Sequence, residues 1–251
     1  CKVPITVSKD YEIPAYVGPN TLAIASSYSG GTEETLACME QFIQAGAHII
    51  GISSGGKLKE ICSAKGFDFV QLPAGKPAPR ACLGYSMVAQ LGILHSLGFM
   101  DDDYLNQVAQ SAEMLQLEQE QIKGKAMQIA GLLKDRMPII YACSDMEPVA
   151  IRFRQQLNEN AKVLCWHHVI PEMNHNELVG WRDQDSNAFV IFLRNRNDYS
   201  RNQTRIEINK EIISNYAGAV MDLYSRGDGK VVQAMYLVHL VEGGSVFLAE
   251  L

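Results

Sequence analysis

Short apolar runs and helically spaced stretches alternate along this chain. Thr21-Leu22-Ala23-Ile24-Ala25-Ser26 is apolar and ends on small residues, and from Thr32 to Ala45 Leu36, Met39, Phe42 and Ile43 recur at helical spacing. His48-Ile49-Ile50-Gly51-Ile52 follows, with Gly46 placed to stop the helix, so the text predicts strand, helix and parallel strand, a βαβ unit. Runs that do not alternate are what parallel strands buried on both faces require. After the loop Ser53-Ser54-Gly55-Gly56 come a short helix from Lys57 to Lys65 and a strand from Phe67 to Leu72, and Pro73, Pro77 and Pro79 then punctuate the text.

From Arg80 to Leu97 the positions Leu83, Met87, Val88, Leu91 and Leu94 predict another helix. Asp101 to Leu133 is Gln- and Glu-rich, helical and poor in turn residues, and reads as a connector between domains. Pro138-Ile139-Ile140-Tyr141-Ala142-Cys143 opens a second alternation, with a helix from about Pro148 to Leu157 and strands at Lys162–Trp166 and Ala188–Leu193. Ile206–Ile213, Gly218–Leu223 and a helix from Lys230 onward continue it. The doubled pattern predicts two open α/β sheets rather than one barrel. The chain opens in what reads as a strand region and stops on the helix-like text Val246–Leu251.

With 251 residues, 47% of them apolar and 20% charged, the chain can build one large core or two, which excludes intrinsic disorder. Lys and Arg number 22 against 28 Asp and Glu, a net charge of −6, and no basic patch offsets it; no nucleic-acid partner is expected. No run approaches the roughly 18 apolar residues of a membrane span and the opening resembles no signal sequence, so no membrane association is expected. Cys1, Cys38, Cys62, Cys82, Cys143 and Cys165 are scattered among mostly apolar neighbours without a CxxC, the usage of reduced, buried thiols in a cytoplasmic protein.

Ser26-Ser27-Tyr28-Ser29-Gly30-Gly31-Thr32 lies between a predicted strand and a predicted helix, where open α/β sheets bind ligands. Hydroxyls, flexible glycines and the free N–H groups of a helix start suit a phosphomonoester; without a Walker lysine or GxGxxG it is no common nucleotide cradle. The plainer alternative is that Thr32 simply caps the helix, with Glu33 and Glu34 complementing its dipole. Arg80 follows the proline-rich loop Gly75–Pro79, held at a helix start to meet a phosphate or sugar oxygen, or else an ordinary surface arginine. Glu159, between Asn158 and Asn160, falls on a loop beside the sheet, where a carboxylate is usually just solvated. His175, in Pro171-Glu172-Met173-Asn174-His175-Asn176-Glu177, could work as an acid or base near neutral pH. His167 and His168 add no metal-ligand spacing, so no metal is expected.

Ser26–Thr35 resembles the sugar isomerase (SIS) phosphosugar-binding domains. Pro79-Arg80-Ala81, Asn158-Glu159-Asn160-Ala161-Lys162 and Glu172–Trp181 narrow the resemblance to the bifunctional phosphoglucose/phosphomannose isomerases, in order and spacing over nearly the whole chain. The resemblance implies two SIS-type three-layer αβα sandwich domains with parallel, flavodoxin-like sheets, at residues 1–115 and 137–251, joined by a helical linker at 116–136. It implies interconversion of glucose 6-phosphate or mannose 6-phosphate with fructose 6-phosphate through a cis-enediol, with no cofactor. Ser27, Ser29 and Thr32 would hold the phosphate, Arg80 would steady the enediolate, and Glu159 would move the proton. His175, contributed across a homodimer interface, would assist ring opening. The family carries Asn where this chain has Gly31. Its Gly- and Ser-rich first loop would precede Cys1 and its last helix, with an active-site lysine, would follow Leu251, so the chain reads as shortened at both ends. A phosphosugar-sensing module that binds without catalysing is the alternative, and Glu159 with His175 argues against it. Amino transfer, as in glucosamine 6-phosphate synthases, is weaker still, for want of a Cys-nucleophile domain.

Overall fold

The computed structural model describes residues 2–76 and 78–251; Cys1 and Pro77, both named above, lie outside the described residues. The chain divides into two compact units, Cys1–Leu105 and Asn106–Leu251.

In the first unit, β1 (Leu22–Ser26), β2 (His48–Ser53) and β3 (Asp68–Gln71) form a parallel sheet in the order β1-β2-β3. The helices are α1 (Glu33–Gln44), α2 (Gly56–Lys65) and α3 (Leu83–Ser96). One sheet face is covered by Met39 of α1 with Leu58 and Cys62 of α2, and the other by Ile93 of α3 packing with Ile52 and Leu72. The three layers expected of the sequence are therefore present. The strand anticipated at the start is not: residues 2–21 are irregular, and Val3, Ile5 and Val7 stay exposed with no strand to pair them.

The second unit contains α4 (Asp102–Leu117, entering from the first), α5 (Gln119–Leu133), β4 (Met137–Cys143), α6 (Glu147–Gln156), β5 (Trp166–Ile170), β6 (Asp185–Arg194), α7 (Ser200–Ile213), β7 (Ala217–Tyr224) and α8 (Lys230–Glu250). Its sheet is parallel in the order β5-β4-β6-β7. Successive residues of the central strands feed opposite layers. Ile140, Ala142, Phe189, Ile191 and Leu193 meet α5, α6 and α8, while Ile139, Tyr141, Val190 and Phe192 meet Ile206 and Ile213 of α7.

Three expectations are corrected here. The stretch 116–136 is not a linker: α5 buries Ile122, Ala126, Ile129, Ala130 and Leu133 against α8, and the division between units falls earlier, after Leu105. Its polar residues occupy the outer face of an amphipathic helix, which composition alone does not separate from a solvated connector. The strand placed at Lys162–Trp166 begins only at Trp166, because Lys162 takes a left-handed conformation (φ 60°) and Leu164 is 85% exposed. Finally, α8 is by length and composition a helix that could cross a membrane, the one such helix among the described residues. Its apolarity has another cause: Tyr236, Leu237, Leu240, Val241 and Leu248 are buried, and the absence of a side chain at Gly243, where a Cβ would stand 3.1 Å from that of Ala126, lets α5 come close.

Cys38, Cys62, Cys82 and Cys143 are buried free thiols and Cys165 is half-buried. Burial pushes the Cys143 thiol up to about 12 and that of Cys165 up to about 11, so both remain protonated and inert near neutral pH.

Candidate active site

The loop after β1 closes on itself. Ser27, 6% exposed, shares a hydrogen bond of 2.7 Å with the Thr32 hydroxyl and accepts another from the Gly30 N–H at 3.1 Å. Ser29 is exposed, its hydroxyl accepting from the Gly31 N–H at 3.2 Å. Thr32 occupies the N-cap position of α1, yet no side chain caps that helix. The capping alternative therefore describes the Thr32 backbone but not its hydroxyl, which is committed to Ser27. The uncapped first N–H groups of α1 follow a loop carrying the Ser27, Ser29 and Thr32 hydroxyls, with Glu33 and Glu34 in the first turn.

A second loop, from Ser53 to Gly56, holds the first in place. The Ser54 N–H and hydroxyl both donate to the Tyr28 carbonyl, at 2.8 and 2.7 Å, and the Leu58 N–H donates to the Gly30 carbonyl at 2.9 Å. Gly30 (φ +70°) and Gly56 (φ +69°) interlock: a Cβ on Gly30 would stand 1.9 Å from the Gly55 oxygen, and one on Gly56 2.4 Å from the Ser29 oxygen. Tyr28 extends the assembly, its phenol donating to the Pro73 carbonyl at 3.0 Å and accepting from the Lys76 N–H at 3.3 Å. The serine loop is thereby tied to the segment leading to Arg80, which sits half-buried in the 3₁₀ turn Pro79–Cys82 ahead of α3. The sequence reading missed the supporting roles of Tyr28 and Ser54; the pair Gly55-Gly56 was the available signal, since adjacent glycines beside a strand end mark close backbone approach.

In the second unit Glu159 is exposed, on a π-helical turn (Leu157–Ala161) that ends α6 rather than on an open loop. Its neighbours are anchored. Asn160 donates to Ser245 of α8 at 2.9 Å and Asn158 to the Val163 carbonyl at 2.7 Å, while Leu157 is wholly buried. A π turn places a side chain where a regular helix would not, a device frequent at functional sites.

His175 is exposed at the end of a 3₁₀ turn, Glu172–His175, with a second, Glu177–Gly180, close behind. Asn174 donates to Asn209 of α7 at 2.6 Å, Asn176 accepts from the Glu177 N–H at 2.6 Å, and Met173 is buried. Glu159 lies before edge strand β5, on the layer of α6 and α8, whereas His175 follows β5 on the layer of α7.

Among the described residues no group of three His, Cys, Asp or Glu side chains could hold a metal. A cavity of about 310 Å³ lined by Lys125, Arg196, Asp222 and Tyr236 in the second unit, and one of about 450 Å³ lined by His48, Ile50 and Phe99 in the first, are lined by none of the six candidate residues.

Residues 122–251 match the family described as the bacterial phospho-glucose isomerase C-terminal SIS domain. The chain is 37% identical to the bifunctional phosphoglucose/phosphomannose isomerase of Caldicellulosiruptor bescii, over 100% of this chain and 77% of that protein. It is 34% identical to the protein of the same name from Aquifex aeolicus, over 99% and 76% respectively. The solved tagatose-6-phosphate ketose/aldose isomerase of Escherichia coli, 15% identical, shares the fold with a TM-score of 0.70 over 94% of this chain and 70% of that one. This chain belongs to the bifunctional phosphoglucose/phosphomannose isomerase family.

Proposed function

We propose that this chain is an aldose–ketose isomerase interconverting glucose 6-phosphate and mannose 6-phosphate with fructose 6-phosphate. The observation that carries the reading is the serine–threonine loop, whose hydroxyls lead directly into a helix start that no side chain caps. Ser27, Ser29 and Thr32 hold the phosphate with the uncapped N–H groups of α1, an arrangement that needs no excess of positive charge. The acidity of the whole chain is therefore no obstacle.

His175 assists ring opening, protonating the ring oxygen as the C1 hydroxyl loses its proton. Glu159 then removes the proton from C2 of the open aldose as O1 gains one, giving the cis-enediol, and returns it to C1 as the O2 hydroxyl gives up its proton, giving the ketose. Arg80 offsets the negative charge that develops on the enediolate oxygen. Electrons and protons balance within the substrate, so the step calls for no redox cofactor. The two units act as the two SIS domains. The exposure of His175, and the separation of its layer from that of Glu159 by the sheet, support a homodimer in which each subunit lends His175 to its partner. Unpaired thiols and the relatives' sugar-phosphate chemistry support a cytoplasmic location.

The test supplies glucose 6-phosphate and mannose 6-phosphate separately and measures fructose 6-phosphate. Glu159→Gln is expected to lower turnover by about a thousandfold or more while keeping hexose 6-phosphate binding. Undiminished turnover by that variant removes the base assignment, and binding without turnover of either sugar by the parent chain replaces the enzyme with a sensing module.

A further inference from the structure

His175 sits on a short arch pinned on both sides, and one of the pins is a polar cluster built around one buried phenol, to which the chemistry above assigns no role. Tyr141, on β4, is wholly buried, and its phenol donates to Glu177 Oε1 at 2.5 Å. The same carboxylate oxygen accepts from the Trp166 indole N–H at 3.2 Å, and the Trp181 indole N–H donates to the Tyr141 oxygen at 3.2 Å. Burial, with the hydrogen bond to Glu177 second, raises the Tyr141 pKa far above its ordinary value, so the phenol remains a donor across the working pH range. On the other side of the arch Asn174 is held by Asn209 of α7 and Met173 by the core. Between these anchors only His175 and Asn176 lie free of the core, and Asn176 is committed to the Glu177 N–H and to Glu172 at 3.2 Å.

A buried phenol is costly to keep unless its oxygen is hydrogen-bonded, and what the bonds of Tyr141 specify is the geometry of the turn that Glu177 and Trp181 belong to. We propose that Tyr141 and Glu177 are positioning residues for His175: they fix the arch so that the imidazole points away from its own subunit, ready for the sugar ring held by a second copy. The proposal rests on the reading that His175 assists ring opening. A tyrosine in the middle of a central strand is otherwise an unnecessary polar group in an apolar core; Phe would fill the same space and pack against Phe192, whose ring centroid is 5.3 Å away.

The test separates ring opening from proton transfer. Exchange between the α and β anomers of glucose 6-phosphate, followed by NMR, needs only ring opening, whereas conversion to fructose 6-phosphate needs both steps. In the full chain, Tyr141→Phe is expected to slow enzyme-catalysed anomer exchange and isomerisation together, each about tenfold, with KM nearly unchanged. Glu177→Gln keeps an acceptor oxygen and should stay within about threefold of the parent, while Glu177→Met falls with Tyr141→Phe. Both tryptophans of the chain, Trp166 and Trp181, bond to this cluster, so their emission reports it directly and should shift in Tyr141→Phe while the far-ultraviolet circular dichroism does not. Parent-level anomer exchange in folded Tyr141→Phe and Glu177→Met overturns the positioning role. Parent-level exchange in His175→Ala instead removes the ring-opening reading itself, and the proposal with it, so the two failures are told apart.

Discussion

Gly30→Ala is the sharpest test of the serine loop and of the phosphate-binding role proposed for it. The new Cβ would stand 1.9 Å from the Gly55 oxygen and 2.9 Å from its carbon, where real contacts essentially never fall under 3.0 Å. Both atoms are backbone, so no side chain can turn aside, and the loops must separate by about 1 Å. The separation strains three bonds, from the Leu58 N–H to the Gly30 carbonyl and from the Ser54 N–H and hydroxyl to the Tyr28 carbonyl. Each contributes on the order of 1 kcal/mol, and alanine held at φ near +70° costs about another 1 kcal/mol. The expected loss is about 2–4 kcal/mol of first-unit stability, read by urea unfolding. A displacement of about 1 Å in the serine loop should also raise KM for hexose 6-phosphates on the order of a hundredfold. Gly31→Ala is the control: its Cβ would meet only the Ser29 hydroxyl at 3.9 Å, and the variant should stay within about 0.5 kcal/mol of the parent. If Gly30→Ala matches that control in both stability and KM, the interlocked-loop argument is wrong.

Two further outcomes follow from the second unit. Glu159→Gln and His175→Ala subunits, each inactive alone, should regain about a quarter of parental activity when mixed in equal amounts and allowed to exchange, since half the dimers are mixed and each carries one intact site; no recovery despite exchange would place both residues in one chain's site. At acid pH, the hydrogen bond from Arg194 holds the Glu207 carboxyl below its ordinary value of 4.5, so the stability it contributes is present above that value and lost as pH falls through the lowered one. Glu207→Gln should therefore flatten the fall in urea midpoint between about pH 6 and about pH 3; because the Glu207 side chain is 59% exposed, the change is small, under about 1 kcal/mol, and a steeper fall would refute the assignment.

The periodicity of the chain determined much of its architecture. The apolar runs at residues 49–52, 139–143 and 188–193 lie in the interior strands β2, β4 and β6, because a strand with a neighbour on each side and a layer on each face keeps few polar positions. The serine–threonine loop was legible for the same local reason, since hydroxyls and glycines at a strand end form a motif within a few residues. Arg80, Glu159 and His175 were singled out by the family resemblance, which carried no geometry for them: the π turn under Glu159 and the 3₁₀ turn under His175 came from the fold.

Tertiary packing decided the rest. Whether α5 was linker or core depended on α8, more than a hundred residues away, and whether β5 began at Lys162 or Trp166 depended on how α6 ended. The Thr32 hydroxyl could cap a helix or meet Ser27, and the choice lay in how the loop closed. The Tyr141–Glu177–Trp166–Trp181 cluster has no sequence signature, because its members come from three strands and turns that meet only when the sheet is covered. Local pattern specifies elements through the period of one helix or strand; the partners of a buried polar group are set by contacts distant in sequence, which no local period encodes.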